Sequence, residues 1–189
     1  MTTVLISIIP LFWITFLVYW IVQARGVKPA AEKQSRSASF AYRLPLMLCG
    51  ILLGFPYSRF PLGMALTPRT ELAAAIGVAI CSLGLFVTIW ARRTLAGNWS
   101  NQITFKQGHE LVQTGPYRFA RHPIYTGLLS MCLGTAIAGG QLHTWLGFVF
   151  MCVGLGIKLK QEESLMQRHF PGDYPSYRKR VKALLPFVI

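Results

Sequence analysis

The chain has 189 residues, of which 53% are hydrophobic and only 13% are charged, and its formal net charge is +13. The charged fraction is about half that of a typical soluble domain, and the mean hydropathy is +0.44. These values exclude an ordinary soluble globular protein and favour an integral membrane protein of one domain.

Five apolar runs follow in chain order and predict an all-α membrane protein with five transmembrane helices. The runs are Val4–Val22, Leu44–Phe60, Leu72–Ala91, Ile124–Gly140 and Leu142–Ile157. A helix needs about 20 residues to cross a bilayer, so the last two runs are slightly short. The second run is interrupted by Pro45, Pro56 and Arg59. The last two runs are separated only by a short glycine-containing turn, which predicts a helical hairpin.

The basic residues predict the orientation of these helices. Seventeen of the nineteen Lys and Arg residues lie between runs one and two, between runs three and four, or from Lys158 onward. A five-span topology puts all three segments on one side of the membrane. This positive-inside pattern predicts an outside N-terminus and a cytoplasmic C-terminus in a multi-pass protein, in the cytoplasmic membrane if the host is a prokaryote. The charge therefore indicates orientation and contact with the lipid bilayer, and no nucleic-acid partner is predicted.

The cysteines and the small residues indicate packing. The four cysteines each lie alone in an apolar run without a CxxC spacing, so no metal site is predicted: Cys49, Cys81, Cys132 and Cys152. Small residues recur at steps of four and seven, which lets helix backbones approach closely in lipid. They are Ala73, Gly77, Cys81 and Gly84, then Gly127 and Gly134, then Gly147 and Gly154.

The segment from Arg92 to Pro123 is the first place where polar residues could form a site. Its stretch "FKQGHELV" predicts a strand, a turn and a second strand, and "QTGPY" predicts a turn. Pro123 suits the first turn of the fourth helix. The free N–H groups of that turn would favour an anion, next to Arg118, Arg121 and His122. The same residues also fit a membrane anchor that contacts lipid phosphates.

The tail from Lys158 onward predicts that the fifth helix continues beyond the membrane. At about 100° per residue, Leu159, Met166 and Phe170 form one apolar stripe. Glu162 and Glu163 lie on either side of the stripe and face towards it. Carboxylates in that position indicate a cationic or polar neighbour, unless they belong to a solvated face with Lys160 and Arg168 as partners.

The start of run four and the end of run five should be neighbours, because a short turn joins the two runs at their other ends. One of these ends offers anion-binding groups and the other offers carboxylates. A ligand with both a carboxylate and a cation would fit between them. S-adenosylmethionine has that pattern, with a carboxylate, an ammonium and a methyl sulfonium.

Two motifs carry a resemblance to a known family. The stretch "GHELVQTGPYRFARHPIYTG" resembles the cofactor signature of integral-membrane methyltransferases of the isoprenylcysteine carboxyl methyltransferase type. The stretch "EESLMQRHFPGDYPSYRKRV", followed by "LPF", resembles the C-terminal signature of that family, with paired Glu and Tyr-x-x-Tyr. The match covers about Gly97 to Phe187. The wider group includes phospholipid N-methyltransferases and small thiol methyltransferases, so the motifs indicate the cofactor more closely than the acceptor.

The resemblance implies a cytoplasmic cofactor pocket formed by the loop before the fourth helix and the C-terminal tail. The residues that it implies for S-adenosylmethionine are His109, Glu110, Leu111, Val112, Tyr117, His122, Pro123, Ile124 and Tyr125. Glu162 would contact the cationic part of the cofactor. Arg121 is also expected to bind the cofactor, because it lies at the start of the fourth helix. The product would be S-adenosylhomocysteine.

The resemblance also implies a place for the acceptor. Lys158 stands where the carboxyl-methylating enzymes usually have an Arg that holds the substrate carboxylate, and Lys keeps the charge without the bidentate fork. An ionised carboxylate needs no general base. An amine acceptor would have to lose a proton, and Glu163 or His122 would be the candidates for that role. The expected catalytic residues are therefore Lys158, Glu162 and Glu163.

The sequence predicts a membrane methyltransferase with three N-terminal helices in residues 1–91 and a catalytic half in residues 92–189. The favoured reaction is carboxyl O-methylation of an isoprenylcysteine-type acceptor that enters from the bilayer. Methylation of a phospholipid amine or of a small thiol remains an alternative. A non-catalytic transporter subunit is the competing class, and it should carry ionisable residues near the middle of the bilayer. The apolar runs have almost none.

Overall fold

The computed structural model describes residues 2–24, 30–33, 36–55, 59–96, 104–106 and 111–184. These ranges contain six α-helices and two short strands. In chain order they are α1 (Thr2–Gln23), β1 (Ala30–Lys33), α2 (Arg36–Gly54), α3 (Glu71–Leu95), β2 (Thr104–Lys106), α4 (Pro123–Gly139), α5 (Leu142–His169) and α6 (Asp173–Arg180). A 3-10 turn, Gly115–Arg118, precedes α4.

Three of the described helices are long and apolar enough to cross a bilayer, namely α1, α3 and α5. The apolar part of α2, from Ser39 to Gly54, and the whole of α4 are shorter. Large apolar side chains point outwards from α1, α3 and α5, among them Leu17, Ile21, Leu83, Phe86 and Val149. Such continuous apolar faces are rare on monomeric soluble proteins, and they indicate a membrane protein.

The predicted helix ends agree with the structure for the C-terminal hairpin. Helix α4 begins at Pro123, and α5 continues past the apolar run to His169. Helix α2 differs from its prediction, because it begins at Arg36 and contains Pro45. It ends at Gly54, since the residue before Pro56 is disfavoured in a helix. Apolar patterning alone located only the lipid-facing part of this helix.

All the long elements are helices, as predicted, and the two short strands lie in the connections between helices. β1 pairs antiparallel with β2, with Ala30 opposite Lys106 and Lys33 opposite Thr104. The sequence predicted that the partner of Phe105 would follow it in "FKQGHELV". Residues 107–110 lie outside the described residues, and residues 111–113 form no regular structure. The pairing is made instead with the connection before α2, a non-local partner that local turn signals do not reveal.

Close backbone contacts hold the helices in two pairs, α3 with α4 and α2 with α5. A Cβ on Gly84 of α3 would lie 2.6 Å from the carbonyl oxygen of Gly127 on α4. A Cβ on Gly147 of α5 would lie 2.9 Å from the side chain of Leu53 on α2. The predicted small-residue spacing is confirmed as packing at these sites. Of the four cysteines, three are buried and Cys152 is exposed.

A glycine and an arginine fix the ends of the bundle. Gly140 has φ +66°, a left-handed conformation that ends α4 and permits the short turn into α5. At the opposite end, Arg92 of α3 is 3% exposed. Its guanidinium donates hydrogen bonds to the carbonyls of Gln23 (2.8 Å) and Ala96 (2.7 Å). Arg92 therefore joins the end of α1 to the end of α3.

Candidate active site

A cavity of about 1060 Å³ runs along the inside of the helix bundle. Its walls come from α1, α2, α4 and α5, and its end near α6 is lined by Tyr174 and Tyr177. Gln141 and His143 lie at the other end. His143 and Lys158 are fifteen residues apart on α5, which corresponds to about 22 Å of helix. The cavity is mostly apolar, and its charged side chains are concentrated near Lys158.

Most of the residues that the sequence singled out line this cavity. They are Leu111, Val112, Tyr117, Arg121, His122, Ile124, Tyr125, Lys158 and Glu162. Pro123 and Glu163 lie next to lining residues but are not part of the lining. His109 and Glu110 lie outside the described residues. The start of α4 and the end of α5 are therefore neighbours, as the hairpin argument predicted.

Three charged groups meet where the apolar cavity ends. The imidazole Nδ1 of His122 lies 3.6 Å from a carboxylate oxygen of Glu162. The ammonium of Lys158 lies 3.9 Å from the other oxygen, one helical turn earlier on α5. Glu162 and Lys158 keep 24% and 12% of their side chains exposed. Glu162 can thus present its carboxylate to a ligand in the cavity while both cations remain close.

Aromatic rings surround this cluster. His122 stacks on Tyr125, with ring centroids 5.3 Å apart and an interplanar angle of 10°. The Lys158 ammonium lies 5.6 Å from the centroid of the Tyr125 ring and 5.5 Å from that of Tyr42. Both distances are within the range of cation–π attraction. The two tyrosine rings therefore keep the ammonium of Lys158 at the end of the cavity.

Glu163 forms a second ion-pair cluster behind the first. Its carboxylate accepts two hydrogen bonds from the guanidinium of Arg121, the one from Nε at 2.9 Å. Arg178 of α6 approaches the other oxygen at 3.6 Å, and the Nε2 of His122 lies 3.5 Å from the first. Arg121 was expected among the cations that bind an anion. Its guanidinium instead has Glu163 and the carbonyls of Arg178 and Val181 as partners.

The C-terminal tail closes over the segment before α4. The amide of Arg121 donates to the carbonyl of Lys182 (2.9 Å), and the amide of His122 donates to that of Ala183 (2.9 Å). The hydroxyl of Thr126 donates to the carbonyl of Leu184 (2.7 Å). These bonds fix the backbone that carries His122. The tail therefore positions the cavity lining through main-chain pairing.

Burial and charge set the protonation of the groups at this end. Burial alone would lower the pKa of His122, but hydrogen bonding and charge from Glu162 and Glu163 outweigh it, and the pKa is raised. Burial raises the pKa of Tyr117 well above its usual value, and the nearby Glu162 raises it further. Burial likewise raises the pKa of Tyr177 to about 12. The protonated form of His122 is therefore favoured more than in a free imidazole, while both phenols stay neutral.

Sequence reasoning missed several of these contacts. The Tyr177 hydroxyl donates to the carbonyl of Tyr117 (2.6 Å), so the Tyr-x-x-Tyr element of the tail carries a wall of the cavity. That motif was visible in the sequence without a role. Nothing in the sequence indicated a role for Tyr42, because it lies outside both motifs and contacts Lys158 only through the packing of α2 on α5. Helices α1 and α2 also lacked an assigned role, and both line the cavity.

Comparisons with known proteins agree with these motifs. A family model described as phospholipid methyltransferase matches residues 72–173. The chain is 26% identical over 122 residues to the protein-S-isoprenylcysteine O-methyltransferase of Saccharomyces cerevisiae, which covers 63% of this chain and 51% of that protein. It is 28% identical over 96 residues to the uncharacterized protein YpbQ of Bacillus subtilis, covering 50% of this chain and 57% of that protein.

A plant relative gives a similar result. Protein-S-isoprenylcysteine O-methyltransferase B of Arabidopsis thaliana is 30% identical over 88 residues, which is 46% of this chain and 45% of that protein. The chain thus spans about half the length of these curated relatives. The matched part includes α3, α4, α5 and the cluster around Glu162.

Proposed function

Because the chain belongs to the phospholipid methyltransferase family, we propose that it transfers a methyl group from S-adenosylmethionine to a lipophilic acceptor in the membrane. One observation carries the proposal. A polar cluster of Lys158, Glu162 and His122 lies at one end of a long apolar cavity between helices. Such a cavity suits a molecule with one charged end and one apolar end.

The topology in this proposal has five spans, with α2 and α4 crossing the bilayer together with the three longer helices. The basic connections and tail lie in the cytoplasm. The cluster around Glu162 then faces the cytoplasm, where S-adenosylmethionine is available. The apolar cavity lies at the depth of the lipid chains.

The residues of this chain fit S-adenosylmethionine in two respects. The Glu162 carboxylate, exposed to the cavity, suits the cationic part of the cofactor. The ring of His122 also lines the cavity at the start of α4, where the raised pKa favours its cationic form, so it suits the anionic part. Leu111, Val112, Tyr117 and Tyr125 would line its adenosine. The bound cofactor supplies an electrophilic methyl group.

The favoured acceptor carries a carboxylate, as in an isoprenylcysteine. Lys158 is the cation that would hold it, since Tyr42 and Tyr125 confine the ammonium to the cavity end. The carboxylate is already ionised at neutral pH, so the protein has to position it and exclude water. The relatives named as isoprenylcysteine O-methyltransferases support this choice of acceptor.

An amine acceptor, as in a phospholipid, would require a base. Both ring nitrogens of His122 face carboxylates, and its pKa is raised, so the ring is favoured in a form that has no free nitrogen to take a proton. Glu163 is held by Arg121 outside the cavity lining. Both candidate bases are therefore poorly suited, which favours carboxyl methylation and makes Glu163 a positioning residue.

The acceptor would enter sideways from the bilayer. Among the described residues, α1 packs mainly on α3 and α2 packs mainly on α5, and any contacts between α1 and α2 are few. Both helices nevertheless line the cavity. The space between them is the route by which a lipid chain would reach Lys158 without leaving the membrane.

The test is methyl transfer by the purified full chain from labelled S-adenosylmethionine to prenylcysteine, aminophospholipid and thiol acceptors. We expect label in prenylcysteine. Glu162→Gln should weaken cofactor binding, while Lys158→Gln should raise the KM for the acceptor and leave cofactor affinity within about twofold. Cofactor affinity and turnover that are unchanged in Glu162→Gln would refute the role of Glu162. Label only in a phospholipid amine would refute the acceptor.

A further inference from the structure

Two glycines of α2 face the cavity without any packing reason to be glycine. Gly50 and Gly54 are one helical turn apart, both line the cavity, and both are exposed. A Cβ built on either residue meets no atom within 4 Å. By contrast, a Cβ on Gly154 would lie 2.8 Å from the side chain of Leu46. The two cavity glycines therefore leave space that any larger side chain would take from the cavity.

The packing of α2 on α5 gives the depth of each glycine. Leu46 lies against Gly154, and Leu53 lies against Gly147. The two helices are therefore antiparallel, and seven residues along α2 correspond to seven residues back along α5. Gly50 is then level with the residues around Met151, and Gly54 is about one turn deeper. At 1.5 Å per residue, Gly50 lies about 12 Å and Gly54 about 18 Å from the level of Lys158. Gly50 is halfway along the cavity, and Gly54 is near its far end.

The far end carries polar side chains that hydrogen bonds hold in place. The indole N–H of Trp13 donates to the hydroxyl of Thr135 (3.0 Å), and both residues line the cavity. The amide of Gln141 donates to the carbonyl of Gly63 (3.2 Å). An apolar chain that reaches this end meets polar groups, and a longer chain gains no further apolar burial. The cavity thus has a defined length.

We propose that Gly50 and Gly54 set the length of the acceptor chain, Gly50 opening the middle of the cavity and Gly54 its deep end. The inference rests on the proposed function, because it takes the charged end of the acceptor to be at Lys158. Each additional methylene buried contributes about 0.8 kcal/mol of binding, so the open space at each glycine favours longer chains.

The test compares Gly50→Leu and Gly54→Leu with a matched control, Gly156→Leu. Gly156 is also a helical glycine with no atom within 4 Å of a built Cβ, but it does not line the cavity. Leucine is a better helix former than glycine, so all three variants should fold. The ligands are geranyl-, farnesyl- and geranylgeranyl-cysteine, in order of increasing length. The readouts are the rise in Tm on binding and kcat/KM with labelled cofactor.

We expect Tm of the wild type to rise most with the longer chains. Gly50→Leu should lower the preference for farnesyl over geranyl by about tenfold, the loss expected when about two methylenes are no longer buried. Gly54→Leu should still bind the farnesyl ligand but should no longer bind the geranylgeranyl ligand. Gly156→Leu should keep the wild-type preference.

Three results would overturn the role of the glycines. They are an unchanged length preference in Gly50→Leu, an equal loss for all three chains, which would mean a blocked entrance, and a wild-type Tm that no prenyl chain raises. A wild type that binds the chains with this length order but transfers no label would instead refute the proposed function. The Tm readout separates the two failures because it needs no methyl transfer.

Discussion

Glu162 and Glu163 are adjacent in sequence and have different surroundings. Glu162 faces the cavity next to Lys158 and His122. Glu163 is buried against Arg121, with the half-exposed Arg178 nearby. Because successive residues on a helix point about 100° apart, one carboxylate reaches the ligand space and the other reaches the tail. A paired-Glu motif thus joins a binding group to a group that holds the tail in place.

Glu163→Gln should destabilise the protein more than it changes the chemistry. The change leaves the Arg121 guanidinium, only 7% exposed, without its charged partner. Removal of one member of a buried pair costs about 3 kcal/mol or more. The measurement is Tm in detergent. Arg178→Gln is the control, since a half-exposed pair is worth at most about 1 kcal/mol. Equal Tm values for the two variants would contradict the structural role of Glu163.

The raised pKa of His122 predicts a pH-dependent contribution to stability. The folded protein binds this proton more tightly than the unfolded chain, whose histidine titrates near its usual 6.5. The contribution is therefore complete below that value and is lost as the pH rises through the higher folded pKa. The Tm difference between wild type and His122→Gln should be largest in acid and should shrink as the pH rises above 6.5. A difference that grows with pH would contradict the assigned direction.

At the scale of elements, the pairing of α3 with α4 supports the site from behind. Gly84 and Gly127 bring the two backbones together, and α4 then presents His122 and Tyr125 to the end of α5. Lipid offers no hydrophobic driving force for this contact, so close packing of small residues has to supply it. The position of His122 therefore depends on glycines more than a turn away.

Gly84→Ala should weaken this pair of helices. Its Cβ would lie 2.6 Å from the carbonyl oxygen of Gly127 and 2.7 Å from the amide of Met131, so the backbones must separate. Overpacking of this kind typically costs 1–3 kcal/mol. Gly156→Ala is the matched control, because the space around it is open. The measurement is Tm together with cofactor affinity, and a Gly84→Ala variant as stable as the control would contradict this packing role.

At the scale of the whole molecule, the sequence predicted the helices and the meeting of two helix ends. The apolar runs located the helices, and the short turn that Gly140 permits implied that His122 and Glu162 are close. Contacts between distant segments were not predictable, because no local pattern marks them. Tyr42 beside Lys158 and the pairing of β1 with β2 are of this kind. The partners of Arg121 were not predictable for the same reason, since they come from α5 and the tail.

The proposed acceptor is tested most directly by the chemistry of the bond that carries the labelled methyl group. The full chain would be incubated in lipid nanodiscs with labelled S-adenosylmethionine and both prenylcysteine and aminophospholipid, and the product would be treated with base. A carboxyl methyl ester releases its label as methanol, whereas an N-methyl group keeps it. We expect base-labile label in prenylcysteine, and less of it at the same acceptor concentration in Lys158→Gln. Base-stable label in the phospholipid, or no transfer to either acceptor, would contradict it.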